Sequence, residues 1–223
     1  MSTPVLFLVW RAAPNLDDLG AAFARLDGLV HALAFTPLSL PDQPFARDGR
    51  GPALTVELAF ASERAFAQGV DAIPASGFEA EAMRGRRFAA PDPVFRLGPG
   101  ETPCTLLVEY SGRCDDPTAW LDHYDAHHPP IMVRFPGVRD VATFRPAPDL
   151  ALPDAWERGR AMQRNKVVFD SPAALVAALA SPVMAEMRAD RDAFPPFDGA
   201  VTHFPNATYD LLSSRLTPFS AAL

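Results

Sequence analysis

The stretch TLLVEYSGRCDDPTAWLDHYDAHHPPIMVRFPGVRDVATFRP, residues 105–146, decides the fold. TLLVEYS has the length and apolar content of a strand, DPTAWLDHYDAHH has helical spacing, and VRDVATFRP returns as a second strand. Two prolines follow His128, and the Pro129 ring disfavours the α region for the residue before it, so the predicted helix ends at His128. Pro136 and Gly137 then open the second strand.

Working outward, the Pro-containing loop APDLALPDAWERGRA leads to a strand RNKVVFD, a helix SPAALVAALA and a strand AVTHFPNATY. The order is βαββαβ. The first half repeats it: strand PVLFLVW, helix NLDDLGAAFARLDGLV capped by Asn15 or Asp17, strand ALAFTPL, the Pro- and Gly-rich segment LSLPDQPFARDGRGPA, strand LTVELAF, helix SERAFAQGVDAI and a strand around RRFAAP. Short matches run in the same order, FAS at 60–62 with FDS at 169–171 and ASGFEAEAMR at 75–84 with ASPVMAEMR at 180–188. Self-similarity of this kind reads as a duplication with its boundary near RLGPGETP, giving units 1–99 and 100–223.

A βαββαβ unit is the ferredoxin-like split βαβ, an antiparallel sheet with both helices on one face. The other face needs a cover. Two such sheets on one chain supply it for each other, so the expected fold is α+β: two tandem ferredoxin-like repeats packed sheet to sheet as an intramolecular dimeric α+β barrel, with a space between the sheets.

The composition suits a globular chain: of 223 residues, 48% are apolar and 21% charged, and 16 Phe supply aromatic packing. A net charge of -7 with no basic run gives no footprint for nucleic acid or an anionic membrane. The apolar run VLFLVW is too short for a signal h-region or a membrane span, so a cytoplasmic protein is expected. Cys104 and Cys114 flank the strand TLLVEYSG, which at roughly 3.3 Å per residue holds them about 30 Å apart and excludes a disulfide.

The residues YDAHHPPIMVRFPGVRDVATF, with NKVVFDSPAALVAALASPVMAEM and DGAVTHF downstream, resemble the EthD-like branch of the dimeric α+β barrel superfamily over residues 104–208. Tyr124, His128, Pro130, Ile131, Pro136 and Gly137 take the places of that pattern. AAFARLDGLVHALAFTPL lacks the pattern, and His31 is not equated with His128. The resemblance implies a protein of unknown role, or a decarboxylase, cyclase or isomerase acting on aromatic or polyketide-derived molecules, or an oxygenase that needs no metal; the fold does not choose among them.

His128, at the predicted helix C-terminus, is placed where the dipole favours the imidazolium; at the mouth of the inter-sheet space it would act as a general acid or base, and otherwise as a cap. Tyr124, one turn earlier, orients substrate or the imidazole, or packs at the core edge. Glu109 lies on the strand face opposite Val108 and Tyr110, either as a buried base in the inter-sheet space or paired with Arg139 or Arg145. Arg134 and Arg145 are candidates to grip a carboxylate or phenolate, and His127, His203 and Tyr110 are candidate substrate contacts. His123 and His127 share a helix face, but the acidic residue of HExxH is absent and a third ligand would have to come from Asp122, Asp125 or His203, so no metal is expected. Cys114, beside Arg113, would be reactive only if exposed and electropositive.

There is no Gly-rich phosphate loop, nucleophile elbow or Cys-x-x-Cys pair, so no cofactor is expected. The predicted function is binding of a small apolar or aromatic molecule, with cofactor-independent proton transfer of a cyclisation, isomerisation or decarboxylation type carried by His128 and supported by Tyr124 and by Glu109 or His127. A noncatalytic binding protein and an oxygenase are the alternatives, and a homodimer of the tandem unit is a possible assembly.

Overall fold

The computed structural model describes residues 2–40, 45, 48, 51–75, 77–98 and 101–213, and the backbone of 217–218. The first unit comprises β1 (Thr3–Trp10), α1 (Leu16–Phe23), β2 (Leu29–Pro37), β3 (Leu54–Phe60), α2 (Glu63–Ala72) and β4 (Phe78–Phe88). The second comprises β5 (Cys104–Arg113), α3 (Pro117–Met132), β6 (Val138–Pro146), β7 (Glu157–Arg158), β8 (Ala161–Phe169), α4 (Pro172–Leu179), α5 (Val183–Asp192) and β9 (Asp198–Asp210), followed by β10 (Thr217–Pro218).

Within the units the strands lie in the orders β4-β1-β3-β2 and β9-β5-β8-β6, the ferredoxin-like arrangement. Two antiparallel seams, β2 with β9 and β4 with β6, join the sheets. The second strand of each unit thus bonds to the fourth strand of the other, and closure leaves these eight strands without an open edge. The short β7 and β10 attach to β4 and β9.

Local chemistry is shared between the units. Ser62 and Ser171, in the FAS and FDS matches, cap α2 and α4 by accepting from Ala65 N and Ala174 N. Asn15 caps α1, its side chain accepting from Asp17 N and Asp18 N. Gly28 and Gly137 make the same left-handed turn before β2 and β6, with φ of 72° and 76°, and a Cβ at Gly28 would lie 2.6 Å from Ala65 Cβ.

Strand alternation sorts side chains into three layers. Leu6, Leu8, Val56 and Leu58 pack under the first unit's helices, and Leu106, Val108, Val167 and Phe169 under the second's. The barrel interior receives Val5, Phe7, Met83 and Phe144, with Leu33, Phe35 and Leu107. It also receives ion pairs that cross between the units: Lys166 Nζ lies 2.8 Å from both Glu57 oxygens, and Arg164 Nε lies 2.5 Å from Glu81. The expected space between the sheets is therefore filled at its centre, and one end opens as a polar cavity of ≈ 740 Å³.

The long loop of each unit crosses to the other. Ala147, Leu150 and Trp156 fill the helix side of the first unit, where Trp156 meets Phe78 edge-on at 5.0 Å. Reciprocally, Leu38, Leu40 and Phe45 pack on the helix side of the second unit.

Three of the sequence readings differ from the structure. Helix α1 stops at Phe23, well before Val30, because Gly28 turns the chain into β2. Helix α3 runs through Pro129 and Pro130 to Met132 instead of ending at His128; the ladder resumes with Val133 N donating to Pro129 O at 3.1 Å, and buried Met132 and Phe135 hold the extra turn. The segment matched by ASGFEAEAMR and ASPVMAEMR is strand β4 in one unit and helix α5 in the other, because β4 is clamped between β1 and β6 while α5 has no strand partner.

Candidate functional site

A cavity of ≈ 380 Å³ lies on the outer face of the second unit, between its sheet and its helices. Leu106, Val108 and Tyr110 of β5, Asn165 and Val167 of β8, and Val201 and His203 of β9 form the floor. His128 and Met132 of α3 and Met184, Met187, Arg188 and Arg191 of α5 form the roof, and Phe45 and Asp48 close one side from the first unit. In the first unit the corresponding space is occupied by Trp10, Phe78 and Trp156.

The continuation of α3 buries His128 to 6% exposure. Its Nδ1 lies 2.6 Å from Asp190 Oδ2. A carboxylate only accepts, so Nδ1 carries the hydrogen and Nε2 keeps its lone pair. Burial pulls the His128 pKa below its ordinary 6.5, outweighing the pull of Asp190 in the other direction, and His203 and Arg191 lower it further. His128 therefore does not sit at the expected helix end, and its burial favours the neutral ring.

His203 forms a second dyad on the floor. Asp48 Oδ2 lies 2.8 Å from its Nδ1 and accepts its backbone N–H at 2.7 Å. Phe45 stacks on the ring, centroids 3.9 Å apart and planes 8° from parallel. Burial lowers this pKa too, against the opposing effect of Asp48.

The structure brings His128, His203 and Tyr110 to one cavity and places the other candidates elsewhere. Tyr124 lies fully buried behind the wall, where its hydroxyl accepts from Asn165 Nδ2 at 2.6 Å. Glu109 faces the barrel interior, on the other side of the sheet from His128. Its partners are Arg164, 2.9 Å away, and the Ser111 hydroxyl, not Arg139 or Arg145. Arg139 engages Asp170 and Asp92. Arg145 ties β6 to α3 through Asp122 and Asp125. Arg134 forks onto Glu186 outside the cavity. His127 Nδ1 donates to His123 O at 2.7 Å along the exposed side of α3.

No group of three metal-ligating side chains converges among the described residues. Cys104 and Cys114 are both free. Burial raises the Cys114 thiol, and Asp116 and Asp115 raise it further, so the condition set for a reactive thiol, exposure in an electropositive surrounding, is not met. No described helix is long and apolar enough to cross a membrane.

Asp190, Asp48, Asn165, Arg188 and Arg191 belong to the site but were not among the sequence candidates. Met184, Met187 and Arg191 recur at helical spacing, which would have indicated a helix face with Asp190 beside it. Asp48 sits in a Pro- and Gly-rich loop and carries no local signal.

Fold and cavity together define an α+β barrel of two ferredoxin-like units with a small-molecule-sized cavity on the second. The sequence matches no protein-family model and no curated protein. Among solved structures it is similar to an anthrone oxidase-like protein, with a TM-score of 0.59 and 12% identity over 100% of this chain and 97% of that one. It is also similar to a putative monooxygenase from Fusobacterium nucleatum, with a TM-score of 0.58 and 6% identity over 93% of each chain. An ethyl tert-butyl ether d (EthD) family protein from Bacillus halodurans aligns with 44% of this chain and 95% of its own, at 17% identity and a TM-score of 0.34. At these identities the first two likenesses establish the fold alone, and the third carries no weight.

Proposed function

We propose that the outer cavity of the second unit binds a small, largely apolar aromatic molecule and that His128 removes a proton from it without a cofactor. The observation that carries this reading is the His128–Asp190 dyad: a buried imidazole with its hydrogen-bearing nitrogen fixed by a carboxylate, on the wall of a cavity whose lining joins apolar Leu106, Val108, Val167, Met184 and Met187 to polar Asp48, Asn165, Arg188, Arg191 and His203. An imidazole so oriented is a general base near neutral pH. Asp190 holds the tautomer and stabilises the imidazolium once the proton arrives. His203 and Tyr110 contact the ligand from the floor, and Tyr124 acts from behind the wall. The first unit, with its own space plugged by Trp156, serves as scaffold and contributes Asp48 and Phe45.

The anion left by proton removal can be reprotonated at another atom, as in an isomerisation or cyclisation, or oxidised by O₂. The names of the structural neighbours, a putative monooxygenase and an anthrone oxidase-like protein, support examining the second fate, and the EthD-like pattern around His128 is compatible with either. A barrel that only binds its ligand is the competing reading.

Anthrone, which has an acidic C–H, tests these readings. Hydrogen–deuterium exchange at that carbon is followed by NMR in D₂O, with O₂ uptake recorded alongside. The wild type is expected to accelerate exchange over buffer, and His128→Gln to bind anthrone within about threefold of wild type but exchange it on the order of 100-fold more slowly. Exchange unchanged in His128→Gln would remove the base role, and binding without any exchange would favour the noncatalytic reading.

A further inference from the structure

The polar cavity at the open end of the barrel is separate from the outer one. The two lie back to back on β5, β8 and β9: Tyr110, Asn165 and His203 face the outer cavity, and their chain neighbours Glu109, Arg164 and Thr202 face the inner one. Glu109 stands directly across from Arg164 on one side and from Thr202 on the other.

Formal charge in the inner cavity is separated by depth. Inside are three carboxylates, with the side chains of Glu79, Glu81 and Glu109 23%, 6% and 22% exposed, against the one guanidinium of Arg164 at 7%. The exposed rim reverses this, with Arg11, Arg158 and Arg160 against Glu157. Arg11 reaches down to Glu79 at 2.6 Å. Arg158 donates to Leu152 O, and neither it nor Arg160 meets a carboxylate among the described residues. The inside is therefore formally negative and the rim formally positive.

Donors are also left over on the floor. Arg164 forks onto Glu81 through Nε and Nη2, and Nη2 also reaches Glu109 at 2.9 Å. Its Nη1 donates to no described residue, so two hydrogens of a buried guanidinium remain for whatever enters the cavity.

We propose that this inner cavity is a second ligand site and takes a zwitterionic α-amino acid with a polar side chain, its ammonium group at Glu109 and its carboxylate toward Arg158 and Arg160. The charge separation selects this class. A lone carboxylate entering to the floor would approach Glu81 and Glu109 where water screens little, and a lone amine would have to pass the rim arginines. A zwitterion with its ammonium inward meets the opposite charge at both ends. A side-chain oxygen on the ligand accepts from Arg164 Nη1, a buried donor that is costly to leave unmet. The volume of ≈ 740 Å³ accommodates a molecule of this size, and the site does not depend on any chemistry at His128.

Calorimetric titration of the full chain with three probes tests the proposal: L-glutamine, 4-carbamoylbutanoate, which lacks the ammonium group, and 4-aminobutanamide, which lacks the carboxylate. Wild type is expected to bind glutamine at least about tenfold more tightly than either analogue, since a hydrogen bond to a charged group is worth more than a neutral one. Glu109→Gln should weaken glutamine about tenfold without weakening 4-carbamoylbutanoate. Arg160→Gln, at an exposed position without a partner to lose, should weaken glutamine about threefold and leave 4-aminobutanamide unchanged. Equal affinity for the three probes, or 4-carbamoylbutanoate bound most tightly, overturns the zwitterion and its inward ammonium. Glutamine affinity unchanged in both variants places the ligand elsewhere and overturns the site, as does failure of every probe to bind; neither result bears on the outer cavity.

Discussion

Replacing Glu57 by Gln tests how the two units are held together. Glu57 on β3 and Lys166 on β8 meet inside the barrel with side chains 2% and 4% exposed. Burial alone would raise the Glu57 pKa; Lys166 and His31 outweigh it and bring the carboxyl down from 4.5 to about 2. That difference corresponds to about 3 kcal/mol in favour of the folded state near neutral pH. Because the folded-state pKa is depressed, the contribution is complete above the unfolded value of 4.5 and is lost as pH falls toward about 2. Glu57→Gln removes it and leaves Lys166 with Asp140, 3.9 Å away, as its remaining anion, so a loss of about 3 kcal/mol is expected, at the low end for a broken buried pair. The double variant Glu57→Leu, Lys166→Met removes both charges and should lie within about 1 kcal/mol of wild type. Urea unfolding followed by Trp fluorescence gives these differences, and the single-variant deficit should shrink as pH is lowered from about 5 to about 3. A deficit under about 1 kcal/mol at neutral pH, or one that does not change with pH, would refute the assignment of an ionised Glu57 to this pair.

Other perturbations probe the site and the packing around it. Proton exchange by His128 requires the neutral ring, and burial lowers its pKa, so the exchange rate should fall on the acid side with an apparent pKa below 6.5, measured across a pH series with a bound aromatic ketone. Gly159→Ala would place a Cβ 2.1 Å from Glu81 Oε1. Arg164 and the Ala161 N–H hold that carboxylate in place, so a loss of about 1–3 kcal/mol is expected in urea unfolding. Trp156→Ala empties the plug over the first unit's sheet, where Trp156 packs edge-on to Phe78, and should cost about 3–5 kcal/mol by the same measure.

The barrel was legible because its strands follow simple rules. LTVELAF and VRDVATFRP are β3 and β6 to the residue, since each is a short run rich in β-branched and aromatic residues bounded by turn formers. The FAS and FDS pairs signalled equivalent positions because Ser at each is a helix cap. FEAEAMRGRRF defeated local reading: its Glu and Ala residues favour helix, but pairing with β1 and β6 and burial of Glu81 against Arg164 make it a strand. The two prolines after His128 disfavour α-helix locally, yet packing of Met132 and Phe135 continues α3 and carries His128 from a rim to a buried wall.

The site was legible in part for a related reason. Alternation correctly placed Glu109 opposite Tyr110, but which face of the sheet held an open cavity depended on the barrel interior. There Phe7, Phe144 and the Lys166–Glu57 pair fill the centre, leaving the polar cavity at one end that Glu109 and Arg164 line. The dyad partners Asp190 and Asp48 lie 62 and 155 residues from the histidines they orient. No local pattern links residues so far apart.

The most direct measurement uses the methionines. With ¹³C-methyl-labelled Met, Met132, Met184 and Met187 report on the outer cavity, while Met83 reports on the barrel interior. Titration with anthrone is expected to shift the first three methyl resonances and leave Met83 unchanged; a shift of Met83 with Met132, Met184 and Met187 unmoved would place the ligand between the sheets and contradict the account.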